Sequence, residues 1–176
     1  IYVASTTPTG SKIYLFDIDS DSDGVTDRLD KFPNEPTQWD DADEDGYGDN
    51  PLGFAPDAFP QQISQHIDTD GDGHGDSPIG FEGDLFPNNA DQWQDRDGDG
   101  YGDNENGQMG DKYPDEPTQW EDTDQDGFGD NPVGLNPDGC PQINGFSTID
   151  RFGCLDSDQD GYSNPSSNWG ISDRKS

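Results

Sequence analysis

Apolar residues crowd into positions 1–16 and become sparse afterwards. Within that segment, Ile1-Tyr2-Val3 and Ile13-Tyr14-Leu15-Phe16 are strand-like, but the segment is too short to fold alone. From Asp17 to Ser176 neither the 3.6-residue pulse of a helix nor the alternation of a strand runs for long. A link such as Asn34-Glu35-Pro36-Thr37-Gln38-Trp39 predicts one helical turn, capped by Asn34. Elsewhere the pattern predicts loops and turns. The expected fold is mostly irregular, with little regular secondary structure beyond a short N-terminal strand segment.

What replaces periodicity at the residue scale is periodicity at the repeat scale. Asp-x-Asp-x-Asp-Gly begins at Asp19, Asp41, Asp68, Asp95, Asp122 and Asp156. Between Asp41 and Asp122 the step is 27 residues each time. A second anchor, an aromatic residue followed by proline, recurs as Phe32-Pro33, Phe59-Pro60, Phe86-Pro87 and Tyr113-Pro114, with Cys140-Pro141 in the fifth place. The first unit lacks five residues of a Gly-containing insert that the later ones carry, and the last runs off its pattern after Asn164. The expected divisions are 1–16 (strand-like segment), 17–40 (a short first repeat), 41–67, 68–94, 95–121, 122–155 (with a Cys loop) and a partial repeat at 156–176.

Composition sharpens the question. Only 26% of residues are hydrophobic, and 40 acidic residues against 8 basic ones give a formal charge of -32. Such a chain cannot bury enough apolar surface to fold unaided. An acidic disordered tail is the plain alternative, but 11% aromatic content and regular spacing of the acids oppose it. The charge excludes nucleic acid and anionic membranes as partners, and no apolar stretch is long enough for membrane insertion. Divalent cations are the natural counterpart.

The spacing within each unit says which cation. Asp19, Asp21, Asp23, Asp27 and Asp30 fall at positions 1, 3, 5, 9 and 12 of a twelve-residue loop, with Gly24 at position 6 and the Val25 carbonyl at position 7. That is EF-hand-type ligand spacing. Oxygen-only ligation selects hard cations, and many flexible carboxylates suit Ca²⁺ better than octahedral Mg²⁺. The expected ligands of the later loops are Asp41, Asp43, Asp45, Tyr47 and Asp49; Asp68, Asp70, Asp72, His74 and Asp76; Asp95, Asp97, Asp99, Tyr101 and Asp103; Asp122, Asp124, Asp126, Phe128 and Asp130; and Asp156, Asp158, Asp160, Tyr162 and Asn164. Tyr47, His74, Tyr101, Phe128 and Tyr162 enter through backbone carbonyls. The insert displaces the closing acid to Asp57, Asp84, Asp111 and Asp138 and is expected to bulge outward as a tolerant side loop. At least six ions follow, with affinities near ~10⁻⁴–10⁻³ M for an extracellular module.

The first unit, DSDSDGVTDRLDKFP, resembles a thrombospondin type 3 repeat, and FPNEPTQWDDADEDGYGDN resembles the calcium-repeat stalks of prokaryotic surface proteins. The resemblance spans roughly Asp17 to Asn164 and implies an elongated, calcium-stapled, extracellular or cell-surface array. Aromatic-Pro replaces the family's Cys-Pro in four units, which removes most of its disulfides.

The aromatic residues at position 7 and in the links (Trp39, His66, Trp93, Trp120) are expected to form a minimal core between neighbouring loops, rather than a carbohydrate-stacking ladder. His66 and His74 stand at aromatic positions, so packing is their expected role. Cys140 and Cys154 suggest a disulfide in an oxidising compartment, worth about 3 kcal/mol; two free thiols are the alternative. No catalytic constellation recurs, so the chain is not expected to be an enzyme. Two roles remain, a rigid extracellular spacer or filament subunit and a calcium-dependent adhesion module binding a glycan or protein. An unpaired N-terminal strand beside an unfinished last repeat predicts a head-to-tail homopolymer, with a chain cut from a longer array as the alternative. The cluster Ser5-Thr6-Thr7-Pro8-Thr9 is a candidate for O-linked glycan.

Overall fold

The computed structural model describes residues 2–7 and 10–15 as strands and residues 17–165 with their side chains. Among these there is no helix, and the only strands are β1 (Tyr2–Thr7) and β2 (Gly10–Leu15). They pair antiparallel, Tyr2 opposite Leu15 and Thr7 opposite Gly10. The premise of an unpaired strand is thereby corrected, because the strand-like stretches find each other. Pro8 and Thr9 of the Ser/Thr cluster lie outside the described residues.

The chain divides into two units, Ile1–Asn88 and Asn89–Ser176. The first holds the hairpin and the first three Asp loops; the second holds the remaining three. The links do not form the capped helical turn expected at Asn34–Trp39. Two successive tight turns form instead, closed by Glu35 N–H to the Phe32 carbonyl at 2.8 Å and Gln38 N–H to the Glu35 carbonyl at 3.0 Å. Glu35 Oε1 accepts the Thr37 hydroxyl at 2.6 Å, a local bond that favours a turn over a helix.

The interior is polar. Cys154 is the only buried hydrophobic residue among those described, whereas Gln38, Gln65, Gln92 and Gln119 are at most 2% exposed. Each glutamine fastens the insert that follows it. Gln92 Nε2 donates to the Asn104 and Gln108 carbonyls at 2.8 and 3.3 Å, and its Oε1 accepts the Asn104 N–H at 3.0 Å. Gln38 does the same with Asn50 and Phe54, Gln65 with Ser77 and Phe81, and Gln119 with Asn131 and Leu135. Two glycines make room for each amide: a Cβ on Gly102 would stand 2.0 Å from Gln92 Oε1, and one on Gly107 2.8 Å from Nε2. The insert is thus a tied ring whose tip alone is free, with Leu52, Ile79 and Val133 93%, 96% and 88% exposed.

Ring contacts join the second, fourth and fifth loops each to its own link. Tyr47 stacks on His66 at 3.8 Å between centroids, and Tyr101 on Trp120 at 4.9 Å. In the fifth repeat Phe152 takes the tryptophan's place. It packs on Phe128 at 5.5 Å, and its carbonyl accepts the Gly139 N–H at 2.9 Å, as that of Trp120 accepts Lys112 N–H at 3.1 Å. The Cys140–Cys154 disulfide closes this longer link, with Cα atoms 5.1 Å apart.

Candidate metal centres

Each Asp loop is closed by the same backbone bonds. The first aspartate accepts the N–H of the position-6 glycine on Oδ2, as Asp41 does from Gly46 at 3.1 Å and Asp95 from Gly100 at 2.9 Å. The fifth-position carboxylate accepts the N–H of position 7, as Asp99 does from Tyr101 at 2.8 Å. Two left-handed residues turn the chain inward. One is the expected glycine, for example Gly127 at φ 93°; the other is position 4, filled by Ser22, Glu44, Gly71, Gly98, Gln125 and Gln159. The carboxylates therefore converge because backbone N–H groups orient them.

In five loops three aspartates place an oxygen each within 4.8 Å of one another: Asp19, Asp21 and Asp23; Asp41, Asp43 and Asp45; Asp68, Asp70 and Asp72; Asp95, Asp97 and Asp99; Asp122, Asp124 and Asp126. The closing acids Asp30, Asp57, Asp84, Asp111 and Asp138 are 8% exposed or less. One oxygen of each is spent on a turn: Asp111 Oδ1, for instance, accepts the Tyr113 N–H at 2.7 Å. The other has no hydrogen-bond partner although buried, and the same holds for Oδ2 of Asp21, Asp23, Asp43, Asp45, Asp70, Asp72, Asp97 and Asp99. In the fifth loop both carboxylate oxygens of Asp124 are without a hydrogen-bond partner, while Asp126 Oδ2 accepts Gly145 N–H at 3.1 Å.

Anionic oxygens buried in groups without donors are costly, since burial penalises charge and like charges repel. Burial first, and the neighbouring aspartates after it, raise the carboxyls of Asp57 and Asp84 above the ordinary range. The same causes push Asp111 and Asp138 up to about 6. A hard divalent cation relieves both causes at once, and an all-oxygen shell fits Ca²⁺.

The ninth position plays a different part from the other acids. Asp27 accepts Ser20 N–H at 2.7 Å and the Ser20 hydroxyl at 2.8 Å, pinning position 2 across the loop. Asp49, Asp76, Asp103 and Asp130 repeat the backbone bond from Ala42, Thr69, Arg96 and Thr123. Asn164 does so from Ser157 at 3.0 Å without any charge. These side chains brace the ring as well as facing it.

The sixth loop is shaped like the others, with Gly161 N–H on Asp156 Oδ2 at 2.8 Å and Tyr162 N–H on Asp160 Oδ1 at 2.9 Å. Asp158 and Asp160 are exposed, however, and the late acid Asp173 lies outside the described residues. His66 Nδ1 stands 3.9 Å from Asp45 Oδ2 while its ring stacks on Tyr47, so it packs at the rim of the second loop.

Spacing alone missed the four glutamines, although a signal was there: Gln recurs in every Gln-Trp or Gln-His pair while its partner varies. No helix among the described residues is long and apolar enough to cross a membrane. No protein-family model matches the chain, and no curated protein is significantly similar to it.

Proposed function

We propose that this chain is an extracellular calcium-binding repeat protein whose ions take the place of a hydrophobic core, serving as a structural spacer. The observation that carries the reading is the set of buried, unpartnered carboxylate oxygens facing one another in five successive loops. The resemblance to thrombospondin type 3 repeats and the Cys140–Cys154 disulfide support an oxidising, extracellular setting. Asp21, Asp23 and Asp30, and their counterparts in the later loops, would hold the ions, with the first-position aspartate and the position-7 carbonyl completing each shell.

Native mass spectrometry at millimolar calcium is expected to show six or more ions per chain, five of them in the enclosed loops. Two or fewer would refute the reading. The spacer role extends to head-to-tail self-association, in which the open edges of the two-stranded hairpin, rather than an unpaired strand, would make the contact. Sedimentation in calcium is expected to show oligomers that disappear when residues 1–16 are deleted; a monomeric intact chain would exclude that extension. A second reading, a calcium-dependent adhesion module, draws on the exposed apolar tips at Leu52, Ile79 and Val133. Binding to a glycan or protein partner that is lost on replacing these tips with serine would favour it over the spacer.

A further inference from the structure

We infer that the Tyr113 hydroxyl is a positioning group for the fifth loop, through which occupancy of the fourth loop raises the calcium affinity of the fifth. The inference rests on the calcium reading above. Tyr113 stands between two candidate sites. Its N–H donates to Oδ1 of Asp111, the closing acid of the fourth loop, at 2.7 Å. Its hydroxyl donates to Oδ2 of Asp122, the first acid of the fifth loop, at 3.2 Å. One residue thus touches a carboxylate of each site, a connection that no other repeat is equipped to make. The residues at the same place elsewhere are Phe32, Phe59 and Phe86, which have no hydroxyl, and Cys140, which is in the disulfide.

The segment carrying Tyr113 is held by the fourth loop at further points. Lys112 N–H bonds to the Trp120 carbonyl at 3.1 Å, Trp120 stacks on Tyr101, and Arg96 pairs with Asp115 at 3.2 Å. An ion that draws Asp111 inward therefore fixes the backbone from which the tyrosine ring reaches Asp122. At its far end Asp122 Oδ2 accepts both the hydroxyl and the Gly127 N–H, the latter at 3.0 Å, while Oδ1 accepts Gln125 N–H at 2.7 Å. The equivalent Asp68 takes N–H bonds from Gly71 and Gly73, with Phe59 offering nothing in the hydroxyl's place. A donor outside the coordination shell that orients a ligating carboxylate typically changes affinity by about tenfold or more, and less where it is partly exposed.

The test is a calcium titration of the full chain followed by the amide signals of Gly100 and Gly127, which bond to Asp95 and Asp122. Tyr113→Phe is expected to raise the Gly127 midpoint about threefold or more, and because coupling is reciprocal the Gly100 midpoint rises with it, by less where the fourth loop fills first. Asp111→Asn is expected to raise the Gly127 midpoint in the natural chain and far less in the Tyr113→Phe background. Phe59→Tyr, which removes nothing, is expected to lower the midpoint of Gly73 in the third loop. An unmoved Gly127 in Tyr113→Phe, or an equal effect of Asp111→Asn in both backgrounds, overturns the inference while leaving calcium binding intact. If neither glycine responds to calcium, the calcium reading fails and takes this inference with it.

Discussion

Excess chelator is expected to take the near-UV circular dichroism of this chain down to its urea-unfolded value, with calcium restoring it and magnesium restoring far less. The stacked pairs Tyr47–His66 and Tyr101–Trp120 supply that signal, and each joins an Asp loop to its link. Without ions every enclosed loop keeps carboxylate oxygens buried and unpartnered, each costing about 1–3 kcal/mol or more. The chain has no reserve to meet that cost, because Cys154 is its only buried hydrophobic residue among those described. Folding free energy and ion-binding free energy are then the same quantity. The metal-free chain also carries a pH signature. Burial first, then repulsion from neighbouring aspartates, raises the folded-state carboxyls of Asp111 and Asp138 to about 6, so the empty fold binds more protons than the unfolded chain. Its stability therefore rises as pH falls through about 6. In chelator, residual near-UV signal is expected to be larger at pH 5 than at pH 7.5. A signal that survives chelator at pH 7.5 undiminished would show that the loops are held by something other than metal.

The parts of this fold that were legible in the sequence are those in which cause and effect sit within one loop. Asp95, Asp97 and Asp99 converge because Gly98 and Gly100 turn the chain, and all of them lie within residues 95–100. Asp57, Asp84, Asp111 and Asp138 are buried as Asp30 is, for a related reason. Inserting five residues before Asp111 moves its number but not its order relative to the loop and the aromatic-Pro anchor. The stacking of Tyr101 on Trp120 followed from two aromatic residues recurring at one spacing.

What escaped has its partners elsewhere in the chain, on groups that carry no residue code. Gln92 is fixed by the carbonyls of Asn104 and Gln108, and any residue at those positions offers the same carbonyl. A glutamine beside a tryptophan reads as a polar link residue until its amide is seen inside the insert. The replacement of Trp by Phe152 escaped for a comparable reason: the Cys140–Cys154 loop changes the distance along the chain while restoring the distance in space. Position 4 gave little warning either, since Glu44 and Gln125 adopt a left-handed conformation that their side chains do not favour. The loop demands it because position 4 lies between two converging carboxylates.

The glutamines also define the largest single-residue effect expected outside the ligands. Gln92→Met keeps the approximate length and volume of the side chain but removes both hydrogen-bonding atoms of the amide. The Asn104 N–H then loses its partner beside a residue that is 0% exposed, and the Asn104 and Gln108 carbonyls each lose one of two donors, keeping Gly107 N–H and Asn89 Nδ2. One orphaned N–H at about 1–3 kcal/mol and two lost bonds at about 0.5–1.5 kcal/mol each give an expected loss of about 2–6 kcal/mol. The thioether adds only apolar contact, and it meets Gly102, whose missing side chain leaves room for an amide oxygen at close range. Gly102→Ala should cost a similar amount from the opposite side, its Cβ falling 2.0 Å from Gln92 Oε1 against a side chain already held by three bonds. Gln94→Met is the control, because Gln94 is exposed and only its backbone carbonyl is used, by Asp103 N–H at 2.9 Å; it should stay within about 0.5 kcal/mol. Urea unfolding in saturating calcium measures all three. If Gln92→Met costs less than about 1 kcal/mol, the insert is not tied by this amide. The polar core would then have to lie in the Asp loops alone.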